Sequence, residues 1–300
     1  MNKLNIGCGE KNKKMRVSFL TFDLFHGRTD TGSSRIRALN LIKYWNEAGI
    51  DLGTAEEYRY GEEYDAIIFQ KVYFPEFVKE YKGIKILDMC DPDWLNWTYQ
   101  IKEAMQYCDA ITCSTLEIAK FVLKMTDKPV AVIPDRVDLS IIKETKKHEG
   151  LAEKVIWFGY SSNFEVLHPA IPAILKRGLE LIVVSDKSFI PISQFKGIVV
   201  TNYPWSKENW MTDLLKGDIL INPNNKKGRF RFKSNNKTTQ AWALGLPVAE
   251  VDTDIDKFMT EEARIKESEE KLIKVRKDYD VKQSVIDLKD FIIEIQNEQK

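Results

Sequence analysis

Three hundred residues are enough for two domains of ordinary size, each with its own core. The 45 basic and 45 acidic side chains cancel, which excludes a chain-wide attraction to nucleic acid or to an anionic membrane. Four cysteines without paired metal-type spacing, no stretch near the ~20 apolar residues of a membrane span, and no signal-peptide layout lead to a cytoplasmic expectation, with peripheral membrane contact left open.

Residues 1–14, MNKLNIGCGEKNKK, form a leader. LNIGCG resembles the glycine loop of class I methyltransferases. The lysines run on into the next strand where that site needs a helix, so an extra strand or an unstructured leader is expected. RVSFLTF (16–22) reads as a buried strand and 34–48 as a helix. DAIIFQ (65–70) and IKILDM (84–89) are strands separated by a helix near 75–82. Helices at about 94–107 and 115–125 bracket DAITCS (109–114), and PVAVIPD (129–135) closes a first domain at 15–139. The charged segment 140–153 reads as a linker. A second domain at 154–262 follows: KVIWFG (154–159), a helix near 165–177 restricted by Pro169 and Pro172, LELIVVSD (179–186), KGIVVTN (196–202) and a helix at 205–215. Helices occupy 263–300, the last near 281–298. This alternation predicts an α/β fold of two Rossmann-like, doubly wound domains facing a cleft.

Residues 218–250, DILINPNNKKGRFRFKSNNKTTQAWALGLPVAE, carry the densest chemistry. A short apolar strand ends at Asn222-Pro223. Lys226, Lys227, Arg229, Arg231, Lys233 and Lys237 then follow with no acidic residue among them. Ser234 and Asn235 suit a helix cap, Gly245 ends the helix, and a strand begins at Leu246. Cations converging on a helix N-terminus suit a phosphate or diphosphate. The plainer alternative is a solvated basic loop ahead of an amphipathic helix.

KSNNKTTQAWALGLPVAE resembles the donor segment of GT-B glycosyltransferases, above all the large retaining bacterial family with the pattern K-S-x-x-K-x-x-E-A-x-A-x-G-x-P-V. The resemblance spans roughly 15–300, with sharp motifs in only a few segments. It implies that Ser234, Asn235, Asn236 and Lys237 hold the diphosphate of a nucleotide-sugar. Gln240 stands where the family has a ribose-binding glutamate, and an amide lacks that carboxylate's charge-assisted strength. Gly159 and Tyr160 follow a strand where the family's loop lies against the phosphates. That loop often carries an arginine, but none occurs here before Arg177, so Arg231 and Lys233 fall to the leaving diphosphate, with Lys237 beside them. Asp186 ends a strand on the donor side, and Trp205 lies near the family's nucleobase contact.

In the first domain, HGRTDTGSSRIRALN resembles the family's G-x-x-x-R region. Gly32 frees the backbone, Ser33 or Ser34 caps the helix, and Arg35 and Arg37 reach across the cleft to the acceptor or the donor phosphates. Asp91 of CDPDWL is the candidate to orient an acceptor hydroxyl or act as a base, with Asp93 the weaker one. The 108–122 and 129–139 segments resemble the family's landmarks at this point, although Asp135-Arg136 replaces Asn-Gly. Neither His26 nor His168 matches a catalytic histidine.

The resemblance thus implies transfer of a sugar from a nucleoside-diphosphate sugar to a hydroxyl acceptor, which is a glycan, a lipid-linked sugar or another alcohol. Retention is expected, with neither metal nor any cofactor beyond the donor. The Asp91/Asp93 and Asp252/Asp254 pairs have metal-type spacing, but such pairs arise easily in loops. Two rival classes are a nucleotide-sugar-binding protein or inactive homologue, suggested by Gln240 and the missing arginine, and a nucleic-acid binder using the basic strip at 226–237. The GLPV sequence that follows speaks against the second, and no nucleic acid is expected.

Overall fold

The computed structural model describes residues 14–28, 30–47, 53–223 and 228–298. The readings of the 1–13 leader and of Lys226 and Lys227 therefore fall outside the described residues. The chain divides into two compact units. One runs to Pro134 and is completed by the residues from Ser284 onward, and the other is Asp135–Gln283.

The first unit holds a parallel sheet of β1 (Met15–Leu20), β2 (Gly53–Glu57), β3 (Ala66–Gln70), β4 (Ile84–Met89), β5 (Ala110–Cys113) and β6 (Val130–Val132), in the order β2-β1-β3-β4-β5-β6. Its central strands are continuous apolar runs because parallel strands are covered on both faces. β3, for example, is buried at all five positions. Strand β2, GTAEE, is absent from the sequence reading because an edge strand needs no apolar run. It pairs with β1 alone, from Met15–Gly53 to Phe19–Glu57. Gly53 is at φ +122°, and a Cβ there would sit 1.7 Å from the Met15 carbonyl oxygen.

The helix expected at 34–48 starts earlier, at Gly32, and Thr31 caps it in place of Ser33 or Ser34 by accepting from the Ser34 N–H. It also contains a π turn at Arg35–Leu39 that leaves Ile36, Arg37 and Ala38 buried. Such turns insert one residue and rotate the side chains that follow.

The second unit holds β7 (Lys154–Phe158), β8 (Glu180–Ser185), β9 (Val200–Pro204), β10 (Ile219–Ile221) and β11 (Val248–Ala249), all parallel, in the order β11-β10-β7-β8-β9. Trp157, Ile219 and Ala249 pack on one face with Ile171, Ile174 and Ile255. Ile156, Phe158 and Leu220 pack on the other with Leu214, Ala241 and Leu244. Each fully buried Ile, Leu or Phe among them contributes roughly 1.5–3 kcal/mol. The prolines act as expected: 165–177 is broken into short 3-10 turns before an α-helix at Ile171–Lys176. The helix expected from 205 begins at Trp210, because Trp205 still follows β9 and its N–H donates to the Ser185 carbonyl at 2.9 Å.

The 140–153 segment is corrected from linker to an integral part of the second unit. The Lys146 N–H donates to the Leu244 carbonyl at 2.8 Å, and the Ala152 N–H to Met259 at 2.8 Å. Arg264 completes the attachment. Fully buried, it donates to the carbonyls of Phe258 (3.1 Å), Met259 (2.9 Å), Glu149 (3.0 Å) and Gly150 (2.8 Å). Helix Glu261–Asp278 lies within the second unit, whereas helix Val281–Glu298 crosses the division at Ser284. Arg264→Met should strand those carbonyls and lower stability by about 3 kcal/mol or more, read as a lower midpoint in urea unfolding. A midpoint within about 0.5 kcal/mol of the parent would show that the attachment is not structural.

Candidate functional site

In the second unit β7 lies between β8 and β10, so successive crossovers leave it in opposite directions. Ligands of open α/β sheets bind at the carboxyl ends of the strands at such a switch point. Here β7 runs out at Phe158, and Gly159 turns the chain at φ +149°, its N–H donating to the Val184 carbonyl at 3.1 Å. β10 leads through the Gly228–Phe232 turn into the Asn236–Ala243 helix. Asn235 takes the cap position of that helix but makes no side-chain cap hydrogen bond. The helix start is fixed instead by Thr238, whose hydroxyl accepts from the Asn222 amide at 3.1 Å.

Lys237 reaches from this helix over the end of β7. Its ammonium lies 4.3 Å from the Trp157 ring centroid and 6.0 Å from that of Phe158. A Cβ on Gly159 would come within 2.6 Å of the Lys237 Nζ and 3.0 Å of the Trp157 ring. Among the described residues no carboxylate pairs with this ammonium. Burial, and then the like charge of Lys233, push its pKa down to about 7. The structure thus sets one half-buried lysine, with no carboxylate partner among the described residues, at a helix N-terminus and a glycine turn.

The other residues read as donor contacts divide. Gln240, one turn further along the helix, is half-buried, and its amide makes no hydrogen bond among the described residues. Ser234, Asn235 and Asn236 are half-buried at the helix start. Arg231 and Lys233 are exposed, and Arg231 stacks on the neighbouring Phe232 ring at 4.4 Å. It is therefore Lys237 that meets the Gly159 turn. Arg229 is taken by Glu165 at 2.5 Å. Tyr160 is exposed. Asp186 accepts from the Ser161 N–H (2.6 Å), Ser161 Oγ (2.9 Å) and Ser185 Oγ (3.1 Å). Burial would raise its pKa, but those donors outweigh it and hold the carboxyl below the usual range. Asp186 thereby staples the loop after β7. Trp205 is partly buried against the Ile156–Phe158 face. A separate cavity of ≈ 540 Å³ lies beside β10 and β11, lined by apolar side chains with Glu165, Glu250 and Asp252, a lining unsuited to an anion.

In the first unit two corrections arise. Arg37, expected to reach the acceptor or the donor phosphates, is buried and committed within its own sheet. Its Nη2 and Nε donate to Asp88 at 2.5 and 3.2 Å, and its Nη1 to the Ile133 carbonyl. The π turn is what directs it inward. Arg35 pairs with Asp30 at 2.6 Å, beside Gly32, while Ser33 Oγ lies 3.5 Å from Thr31 Oγ1.

Asp91 stands at the end of β4 as expected, but in a cluster that the sequence did not reveal. The Lys71 ammonium is 2.8 Å from Asp91 and 3.4 Å from Asp93, and the Tyr73 hydroxyl donates to Asp93 at 2.7 Å. Burial pulls the Lys71 pKa down, but the charges of Cys90, Asp91 and Asp93 outweigh it and hold it above the ordinary lysine value. Lys71 has φ +56°, a left-handed conformation costly for a residue with a Cβ. No spacing pattern marks Lys71 or Tyr73. Only the alignment of β3 beside β4 brings them to the aspartates. His26 and His168 sit against phenylalanine rings.

Neither a family model nor a curated protein sequence matches the chain. Solved structures match it in fold. Anabaena HepE in complex with UDP superposes with a TM-score of 0.61 at 10% identity, over 94% of this chain and 100% of that one. The apo form of WaaB, a lipopolysaccharide outer core galactosyltransferase, gives 0.58 at 11% identity, over 93% and 99%. TarM gives 0.56 at 10% identity over 77% of this chain, which spans about half of TarM's length (54%). At these identities the likeness is one of fold: this is an α/β protein of two Rossmann-like units, and its structural neighbours are GT-B glycosyltransferases.

Arg37→Met should cost roughly 3–5 kcal/mol of stability by leaving Asp88 buried and unpaired, read from the urea midpoint of the first unit's transition. A solvated arginine that contacts only ligand would change it by less than about 0.5 kcal/mol.

Proposed function

We propose that the protein is a GT-B-type glycosyltransferase that moves a sugar from a nucleoside-diphosphate sugar to an acceptor hydroxyl. The observation that carries this reading is the Lys237 ammonium, desolvated on Trp157, set against Gly159 and lacking a carboxylate partner. A half-buried lysine without a counter-charge holds its proton only at a cost, and a bound diphosphate supplies the missing charge. As the glycosidic bond to the donor breaks, negative charge grows on the departing diphosphate. A cation already in place stabilises that charge with little reorganisation. The free amide of Gln240, one turn along, suits a ribose hydroxyl. HepE's complexes with UDP and UDP-glucose support a nucleotide-sugar donor.

Asp91, paired with the Lys71 ammonium, is our candidate for orienting the acceptor hydroxyl. The acceptor is a glycan, a lipid-linked sugar or another alcohol. Retention, and chemistry without metal or further cofactor, belong to the same proposal. The Lys71 ammonium lies against both Asp91 and Asp93, where a bridging divalent cation would need to sit. In the second pair, Asp254 is engaged by the Glu250 and Val251 N–H groups at 3.1 Å each and by Lys257 at 2.5 Å. Among the described residues no group of three or more His, Cys, Asp and Glu could hold a metal. Among the described residues no helix is long and apolar enough to cross a membrane. Among the described residues Cys90, Cys108 and Cys113 are buried and in no disulfide, which fits a reducing, cytoplasmic setting. Burial pushes Cys108 and Cys113 up to about 12, which keeps both as thiols.

Lys237→Ala should weaken binding of UDP by about ten- to a hundredfold and leave uridine binding nearly unchanged, since a charge-assisted contact is worth roughly 1.5–3 kcal/mol. Calorimetric titration of both ligands reads the difference, and equal effects on the two would remove Lys237 from the phosphates. Gly159→Ala should act in the same direction. Its Cβ takes a left-handed conformation and displaces the Lys237 ammonium, so UDP affinity should fall about tenfold or more while far-ultraviolet circular dichroism stays unchanged. Unaltered UDP affinity in Gly159→Ala would place the diphosphate elsewhere.

A further inference from the structure

Among the described residues no opposite charge stands beside Lys237, whose side chain is half-buried. β7 and the turn after it present Trp157, Phe158 and Gly159, none of them charged. On its own segment the nearest charge is Lys233, of the same sign. Aromatic faces attract a cation, but on the order of 0.5–2 kcal/mol, less than a partly desolvated ammonium forgoes in water. A neutral amine avoids that loss, whereas a lysine paired with a carboxylate, as Lys71 is, keeps its proton. The same residue type thus meets opposite environments in the two units.

We propose that Lys237 is an uncharged amine in the empty site and takes a proton from solvent as a diphosphate arrives, so that its ion pair with the donor is made in the act of binding. The inference rests on the donor reading above. No covalent bond changes: the amine nitrogen gains H⁺ from water or buffer, and the ammonium stays paired with the diphosphate while the latter remains bound. The sign of the linkage follows. In the empty site the group titrates near 7. Beside a diphosphate it titrates higher, because an opposite charge favours the protonated form. Between those two values the bound state holds more protons than the free state. Affinity for the diphosphate therefore falls as pH rises through that window, by up to about tenfold per pH unit. Below pH 7 the amine is already protonated and the dependence flattens. The arrangement favours diphosphates over neutral ligands of similar shape, since only an anion induces the charge that holds it.

Two measurements on the full chain test this. Trace labelling with acetic anhydride from pH 5 to pH 10, followed by mass spectrometry of each lysine, reads the protonation midpoint of every side chain without any ligand. Lys237 should show a midpoint near 7, and exposed lysines one near their ordinary value of about 10.4. A Lys237 midpoint in that ordinary range overturns the proposal. Calorimetry of UDP at pH 8, in buffers of different ionisation enthalpy, counts the protons taken up. At that pH the UDP phosphates are already ionised, their last pKa being about 6. Uptake close to one proton per UDP is expected for the parent. Uptake near zero is expected for Lys237→Arg, which keeps its charge throughout. UDP binding without proton uptake in the parent overturns the proposal and leaves the donor site standing. If neither UDP nor inorganic pyrophosphate binds at any pH tested, the donor reading fails and the proposal with it, even should the labelling midpoint lie near 7.

Discussion

The approach of Lys237 to the backbone of Gly159 is the contact on which the proposed donor site depends. It requires a residue without a Cβ at a left-handed φ, since any side chain there would collide with the lysine and with Trp157. It also requires that β7 lie next to β10, so that the turn after one strand meets the helix that follows the other. Trp157 then serves twice, as a core side chain on one face of the sheet and as a platform for the ammonium.

The two units handle charge in opposite ways. In the first, cations drawn into the carboxyl end of the sheet are answered within the fold: Arg37 by Asp88, and Lys71 by Asp91 and Asp93. Such pairs cost much to break, although forming them adds little net stability. They hold a geometry, and here they hold the Asp91 carboxylate at the end of β4 and Arg37 away from solvent. In the second unit Lys237 is left unanswered. A lysine without a counter-charge at a helix N-terminus and a glycine turn is a position suited to an anionic ligand. Asp186 shows the contrast at close range: three hydrogen-bond donors use it to hold the loop after β7, so it serves the frame of the site.

What the sequence made legible was whatever local pattern encodes. Continuous apolar runs marked nearly every strand of both sheets, because parallel strands are buried on both faces. The proline restriction of the 165–177 stretch, the stop at Gly245 and the last helix near 281–298 were legible for the same local reasons. Strand β2 escaped because an edge position demands little of GTAEE. The 140–153 segment looked like a linker because it is polar. Its attachment is made through backbone hydrogen bonds and the buried Arg264, which composition does not show.

The candidate site divides along the same line. The sequence by itself determined that a run of cations and candidate capping residues precede one helix and that a glycine follows one strand, since helix periodicity and strand length dictate where those elements stop. It did not determine which cation would act. Arg229, Arg231, Lys233 and Lys237 look alike in one dimension, yet Arg229 is spent on Glu165, Arg231 lies on Phe232, and Lys237 alone of these is carried onto Trp157. Arg37 likewise looked like a ligand contact until a single π turn directed it to Asp88. Lys71 and Tyr73 acquired a role only when β3 aligned with β4. Only tertiary structure decides such matters, because a charge is available or spent according to what stands within a few ångströms of it, and those neighbours lie far away along the chain.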